Sequence, residues 1–316
     1  MKVSFITTVY NEESTIVDML KSLFSQTMFP DEIIIVDGGS TDNTIKGISD
    51  FKFPISNAKA KIKLIFKKGN RSVGRNEAIK NASNEIIVCS DAGCILDKDW
   101  VKNIVIPFEN PKVDIVAGYY RGVAKNIFQK CLIPYVLVML DRIDPESFLP
   151  ASRSMAFKKS IWEKAGGFDE KFSHNEDYVF AKRLKKINVN IVFEKKAIAY
   201  WIPRNDIKDS FVMFYRFALG DAEANIFRPK VVFIFLRYIL GIFILGAILF
   251  SKTIIFLNLL LVLFVAYIIW SIAKNFKYVK DVRAMYYLPL IQIISDLAVI
   301  LGTLKAFCNR LQTMYN

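Results

Sequence analysis

Along the first 200 residues, short runs of isoleucine, valine and phenylalanine alternate with stretches whose apolar residues recur every three or four positions. Residues 3–9 (VSFITTV) form an unbroken apolar run that predicts a buried strand. Residues 14–26 then place Ile16, Met19, Leu20, Leu23 and Phe24 on one face of a helix. The same reading predicts strands over 32–36 (EIIIV), 63–66 and 85–90 (EIIVCS). It predicts helices over 41–49, with Ser40 or Asp42 as N-cap, and over 73–81. Strand–helix–strand alternation implies an α/β fold, a mostly parallel sheet covered on both faces by helices. Ligands of such sheets bind at the loops that follow the C-terminal ends of the strands.

The pattern changes near residue 230. Residues 231–250 are twenty positions with one charge, Arg237, and residues 253–272 are twenty with none. About 20 apolar residues at about 1.5 Å each cross a hydrocarbon core of about 30 Å. Only Ser251 and Lys252 separate the two, which predicts a transmembrane hairpin. A third segment, 286–307, contains Pro289, Gln292, Ser295 and Asp296, and is read either as a third span or as an interfacial amphipathic helix. The expected organisation is a domain over 1–225 followed by a membrane region of two or three helices over 226–316. Arg228 and Lys230 precede the first span, and Lys274, Lys277, Lys280 and Arg283 follow the second. By the positive-inside rule both places are cytoplasmic, which puts the N-terminal domain in the cytoplasm. The chain opens directly on a strand-like run, so no secretory signal is expected. The apolar run 127–140 is too short to span; it reads as core or as an interfacial dip.

Composition agrees with that division. Hydrophobic residues make up 53% of 316, too many for a disordered chain and high for a wholly soluble enzyme. The formal charge is +13, of which +6 lies beyond residue 230. Such basicity suits a membrane surface or phosphorylated ligands. Nucleic acid is not an expected partner, because the basic residues do not cluster with aromatics on one soluble element. Cys89, Cys94, Cys131 and Cys308 match neither a disulfide framework nor a zinc pattern. His174 is the one histidine, which excludes a multi-histidine metal site.

Candidate chemistry sits in the loops after the strands. The first strand ends in Thr8-Val9-Tyr10-Asn11-Glu12-Glu13, where an aromatic could stack on a base; an acid pair at a helix start is the plainer account. The second ends in Asp37-Gly38-Gly39, a carboxylate able to hold a ribose hydroxyl or a base N–H, followed by glycines that permit a close backbone approach. The fourth ends in Ser90-Asp91-Ala92-Gly93, an acid suited to a divalent cation that bridges phosphates. Arg75, at a helix start between them, could pair with a diphosphate or with Asp91. Further on, Glu176-Asp177 heads another helix. As a dipole-suited acid pair it needs no function, and like-charge repulsion between adjacent carboxylates raises one pKa.

In order and spacing, TTVYNEE, VDGGSTDNT, GRNEAI, SDAG, PASRSMAF, GGFDE and HNED resemble the loops of the family 2 inverting nucleotide-sugar glycosyltransferases, which have the GT-A fold. The resemblance covers roughly residues 1–225. It implies that Thr8, Tyr10 and Asp37 hold the nucleoside, usually uridine, with Glu12, Arg75 and Asp91 also on the donor side. Asp91 matches the leading acid of the family's Asp-x-Asp metal motif. Gly93 stands where the second acid belongs, which weakens the expected Mn²⁺ or Mg²⁺ site. Asp177 matches the general base, with Glu176 orienting it or holding acceptor hydroxyls. Ser152, Arg153 and His174 fall on the acceptor side, Arg153 as a phosphate contact or a structural arginine, His174 as a ligand contact or a solvated loop residue. The implied partners are a nucleotide-sugar donor, a lipid-linked or glycan acceptor, and membrane lipids that meet the aromatics and arginines around Trp201, Arg204, Arg216 and Arg228. No Gln-x-x-Arg-Trp motif of processive members is present, which favours single transfer. The competing readings are a sugar nucleotidyltransferase and a non-catalytic membrane protein that binds a nucleotide sugar.

Overall fold

The computed structural model describes residues 1–51, 61–251 and 254–315. The chain packs as two compact units, Met1–Val123 with Leu137–Ile202, and Ala124–Val136 with Pro203–Asn316.

The first unit is built on an eight-stranded sheet. Its strands are β1 (Val3–Val9), β2 (Glu32–Asp37), β3 (Lys61–Phe66), β4 (Ile86–Cys89), β5 (Cys94–Leu96), β6 (Ile115–Gly122), β7 (Met155–Lys158) and β8 (Ile191–Trp201). The spatial order is β3-β2-β1-β4-β7-β6-β8-β5. From β3 to β4 every pairing is parallel. Beyond β4 the sheet is mixed: β7 runs antiparallel to β4 and β6, β5 runs antiparallel to β8, and β6 is parallel to β8. The expected strands before residue 90 are present; the antiparallel half departs from a purely parallel pattern.

Period-two alternation along the strands feeds two cores. Phe5, Ile33, Ile35 and Val88 pack on one face with α1 (Ile16–Phe24) and with Trp100 and Ile104 of α4 (Trp100–Val105). Ile6, Ile34, Val36 and Ile87 pack on the other with Ile79 of α3 (Arg71–Lys80), Trp162 of α6 (Lys159–Lys164) and Phe180 of α7 (Glu176–Lys186). Helix α1 is amphipathic as its spacing predicts, with Ile16, Met19, Leu20, Leu23 and Phe24 all buried. The short helix α2 (Thr44–Ser49) follows β2, and Asn70 caps α3 by accepting from Val73 N at 3.1 Å. On β6 the register shifts at Gly118. A Cβ there would collide with Ser154 Oγ and stand 2.8 Å from the Ala197 carbonyl, so only glycine lets β6, β7 and β8 close up.

The second unit is helical: α5 (Ile127–Val136), α8 (Ile207–Glu223), α9 (Pro229–Ser251), α10 (Ile254–Val279) and α11 (Ala284–Tyr315). Three of these, among the described residues, are long and apolar enough to cross a membrane, the third over Ala284–Gln312. The third segment therefore qualifies as a span by length and composition. Lys252 and Thr253, in the expected hairpin link, lie outside the described residues. α8 and α5 pack with the long apolar helices in the second unit. Gly302 of α11 meets the Tyr215 carbonyl of α8, and Arg310 donates to the Ala222 carbonyl. Tyr135 of α5 donates to the Leu288 carbonyl at 2.9 Å. The polar residues that weakened the third span are paired: Asp296 takes hydrogen bonds from Arg237 of α9, Tyr267 of α10 and Gln292.

Glu32 anchors the N-terminal end of β2. It is 2% exposed and accepts from Ser4 Oγ (2.7 Å), Ser83 N (2.8 Å) and Ser83 Oγ (3.1 Å), and pairs with Lys63 (2.8 Å). Burial alone would raise this carboxyl; Lys63 and the serine hydrogen bonds outweigh it and bring it down to about 2. A carboxylate held below its unfolded value stabilises the fold above about pH 4.5 and loses that contribution as pH falls towards about 2. Glu32→Gln is therefore expected to destabilise the protein by about 2–3 kcal/mol at pH 7. The gap should narrow steadily below about pH 4.5, measured as thermal midpoints of the detergent-solubilised pair.

Candidate active site

The ends of β1 and β2 are sewn together by their loops. Asn11 adopts a left-handed backbone (φ 55°), and its side chain accepts from Thr41 N at 2.8 Å. Glu12 N donates to Thr44 Oγ1 at 2.7 Å, and Asn43 N donates to Glu13 at 3.0 Å. Asp37 is buried, with its carboxylate taking the Gly39 N–H at 2.9 Å and the Ser40 N–H at 3.1 Å. In this structure its oxygens hold the turn. Tyr10 is 59% exposed at the strand end, leaving a ring free to stack. Thr8 abuts Gly74 of α3, where a Cβ would come within 2.8 Å of the Thr8 methyl.

Arg75 is the centre of the neighbouring cluster. Its side chain is 2% exposed. One guanidinium nitrogen bonds Asp91 Oδ1 at 2.8 Å, the other bonds Glu176, and the Phe168 ring lies 5.6 Å away. Burial works against the charged form, but Glu176 and Asp91 reverse that and raise the Arg75 pKa. Two segments are thereby joined across the site: the loop after β4, 16 residues from Arg75 in the chain, and the head of α7, 101 residues from it.

Asp177 follows Glu176 on the first turn of α7. It accepts from Ser152 N at 3.3 Å and from Tyr178 N at 2.8 Å. Burial first, and then the Glu176 carboxylate, push its carboxyl above the ordinary range; Asp91 adds to this, and Arg75 and Arg153 do not cancel it. For Asp91 the balance is opposite. Burial would raise it, but Arg75, Arg153 and Arg71 together hold it below the usual carboxylate range. Two acids of one site are thus pushed apart, one towards accepting a proton and one towards staying charged.

Arg153 joins this cluster. Its guanidinium lies 5.6 Å from the Tyr120 ring centre and 5.5 Å from that of Trp201. Its carbonyl accepts from Ser90 Oγ at 2.9 Å, beside Asp91. Ser152 is 1% exposed, and its hydroxyl is buried without a partner. His174 contacts Ser173 Oγ at 2.9 Å through Nδ1.

A divalent cation fits this set only in a lean form. Among the described residues no group of three or more His, Cys, Asp or Glu side chains could hold one. Asp91 has one oxygen engaged by Arg75, and a Cβ at Gly93 would stand 3.9 Å from Glu12 Oε2. Asp91 would hold the ion, with donor phosphates and water completing its shell.

The structure joins Arg75, Asp91, Ser152, Arg153, Glu176 and Asp177 into one cluster, with Thr8 bordering it through Gly74. Tyr10, Glu12 and Asp37 group at the β1 and β2 ends. Sequence reasoning left three features unseen. The Arg75–Glu176 pair joins residues 101 apart, a separation no local pattern reveals. Tyr120 and Arg71 carried no motif. Trp201 was placed with the membrane aromatics, yet its ring lies beside Arg153 at the end of β8.

A sheet with carboxylates and arginines gathered at the loops beyond β1, β2 and β4 defines a GT-A-like glycosyltransferase fold. Residues 4–158 match the model of glycosyl transferase family 2, and the chain belongs to that family. It is 30% identical over 229 residues to a poly-beta-1,6-N-acetyl-D-glucosamine synthase of Staphylococcus epidermidis, over 70% of this chain and 55% of the relative. The O-antigen chain rhamnosyltransferase of Salmonella typhimurium is 25% identical over 228 residues, 67% of this chain and 71% of the relative. The chain spans about half the length of the first of these relatives. A mannosyltransferase from Pyrobaculum calidifontis, solved with GDP-Man and Mn²⁺, shares the fold at TM-score 0.59 and 16% identity, over 96% of this chain and 87% of that one.

The Thr8–Gly74 approach gives a test of this geometry. Gly74→Ala is expected to force β1 and α3 apart at the site and destabilise the protein by about 1–3 kcal/mol. Nucleotide affinity, read by titration at a temperature where the variant stays folded, should fall with it.

Proposed function

We propose that this chain transfers a single sugar, with inversion, from a nucleoside diphosphate donor to a lipid-linked or polysaccharide acceptor at the cytoplasmic face of a membrane. Uridine diphosphate sugars are favoured as donors, and guanosine diphosphate mannose is the alternative. The observation that carries the reading is one buried guanidinium, Arg75, that claims Asp91 and Glu176 and leaves the adjacent Asp177 without an ion pair among the described residues, its carboxyl raised while that of Asp91 is lowered. Family membership supports sugar transfer over nucleotidyl transfer. The names of the relatives support a cell-envelope glycan as product. The three long apolar helices support a multi-pass anchor, and Lys274 and Lys277 near the end of α10, with Lys280 and Arg283 before α11, support a cytoplasmic catalytic unit.

In this mechanism the nucleoside lies at the β1 and β2 ends, with Tyr10 under the base and Asp37 and Thr8 beside it. The acceptor hydroxyl oxygen attacks the anomeric carbon from the side of Asp177. A new C–O bond forms as the bond to the β-phosphate breaks, the proton passes to Asp177, and the nucleoside diphosphate departs with the bonding pair. Glu176 keeps Asp177 basic and fixes Arg75. A divalent cation, when bound at Asp91, supplies charge that stabilises the departing diphosphate. Ser152 N orients Asp177 from the acceptor side.

Asp177→Asn is expected to lower kcat by about 10²–10⁴-fold while leaving donor affinity within about twofold. Donor titration and nucleoside diphosphate release, measured on one preparation, check both. Asp177 acts ionised, so the rate rises with pH through its pKa, and the acid limb should lie above the ordinary carboxylate range. Glu176→Gln removes the neighbouring like charge and should move that limb to lower pH. A limb that stays put excludes Asp177 as the titrating base.

A further inference from the structure

The cations at the site are unequal. Arg75 is saturated by two carboxylates. Among the described residues Arg153 has none within ion-pair distance and no hydrogen bond to its guanidinium; its neighbours are the rings of Tyr120 and Trp201. A guanidinium between two rings keeps its charge and its N–H edge while losing freedom to swing away. That edge matches the paired oxygens of a phosphate group.

Its location decides which phosphate. The Arg153 carbonyl is fastened to Ser90, next to Asp91, and its charge acts on both Asp91 and Asp177. Ser152, one residue earlier, is fastened to Asp177 and keeps a buried, unpartnered hydroxyl. The segment therefore straddles the site, with Ser152 on the base side and Arg153 on the Asp91 side. Beside Asp91 the second acid is missing at Gly93, so the loop offers one carboxylate, half engaged, to hold a cation. Charge opposite the leaving group must then come in part from a fixed side chain.

We infer that Arg153 binds the β-phosphate of the nucleoside diphosphate leaving group, taking over part of the role that a fully liganded cation would fill. This moves Arg153 from the acceptor side to the donor side, and it rests on the glycosyl-transfer reading above. Bond making and breaking are unchanged; Arg153 neutralises charge on the departing oxygen.

The test is binding, without turnover. The full-length protein in detergent and EDTA is titrated with UDP and GDP and with the matching monophosphates. In the wild type one diphosphate should bind about tenfold or more tightly than its monophosphate. Arg153→Gln should collapse that ratio towards one while leaving monophosphate affinity within about twofold. Arg153→Lys, which keeps the charge and guards against a folding defect, should retain part of the ratio. An unchanged ratio in Arg153→Gln overturns the assignment, as does a variant whose only loss is a raised acceptor KM. Failure of the wild type to bind either nucleotide, with or without Mn²⁺, overturns the glycosyl-transfer reading and this inference with it, and is told apart by involving the unmutated protein.

Discussion

A guanidinium withdrawn from water must find its counter-charge within the fold, and the first unit is arranged around that constraint. Arg75 projects from α3 into the space between the β4 loop and the head of α7. Each partner lies on a different element, so the ion pairs fix where those elements meet. Desolvation of such a group costs several kcal/mol, and removal of one partner leaves the others uncompensated. The arrangement is therefore a weak source of stability and a strong source of position. Because Glu176 is consumed by Arg75, Asp177 is the acid of the pair left without an ion pair among the described residues. Because Asp91 is consumed in part, its carboxylate stays charged.

The mixed half of the sheet gives that cluster its other wall. β7 runs antiparallel between β4 and β6, which brings the segment before it, residues 151–154, against the β4 end. Ser154 carries the closest packing there: it accepts from Trp100 Nε1 at 2.8 Å and donates to the Ala197 carbonyl at 2.9 Å. Ser152 and Arg153 are held on either side of the site by the same strand junction. A purely parallel sheet would place a crossover helix at this point, and neither side chain would reach the carboxylates.

Legibility in the sequence follows the range of the interactions. β1, β2 and β4 were readable because each is an apolar run that ends abruptly in a polar loop. Those same ends carry Tyr10, Asp37 and Asp91. The later strands were not readable: β6 is broken by the shift at Gly118, and β8 carries Glu194, Lys195 and Lys196 in its middle. The Glu176–Asp177 pair was visible, but not the guanidinium that separates the roles of its two acids. Trp201 shows the limit most plainly. An aromatic beside arginines fits a headgroup boundary and a cation–π contact equally well, and only the path of β8 decides between them.

The apolar helices obey the rule that governs the Arg75 cluster. Asp296 is 1% exposed on α11 and is met by Arg237 from α9 and Tyr267 from α10, with Gln292 completing its bonds. Arg237 also lies 4.7 Å from the Tyr267 ring and 5.4 Å from that of Trp270. A charge in an apolar helix is tolerated when a neighbouring helix answers it, and here the answer joins all three long helices at one level. In both units, then, the arginine that enters an interior is claimed by a carboxylate from another element. The half-buried Arg153 differs: its neighbours are aromatic rings, and among the described residues no acid pairs with it. Beside arginines that are claimed by carboxylates, a guanidinium left to aromatic rings next to Asp91 marks the place where we infer that an anionic ligand supplies the partner.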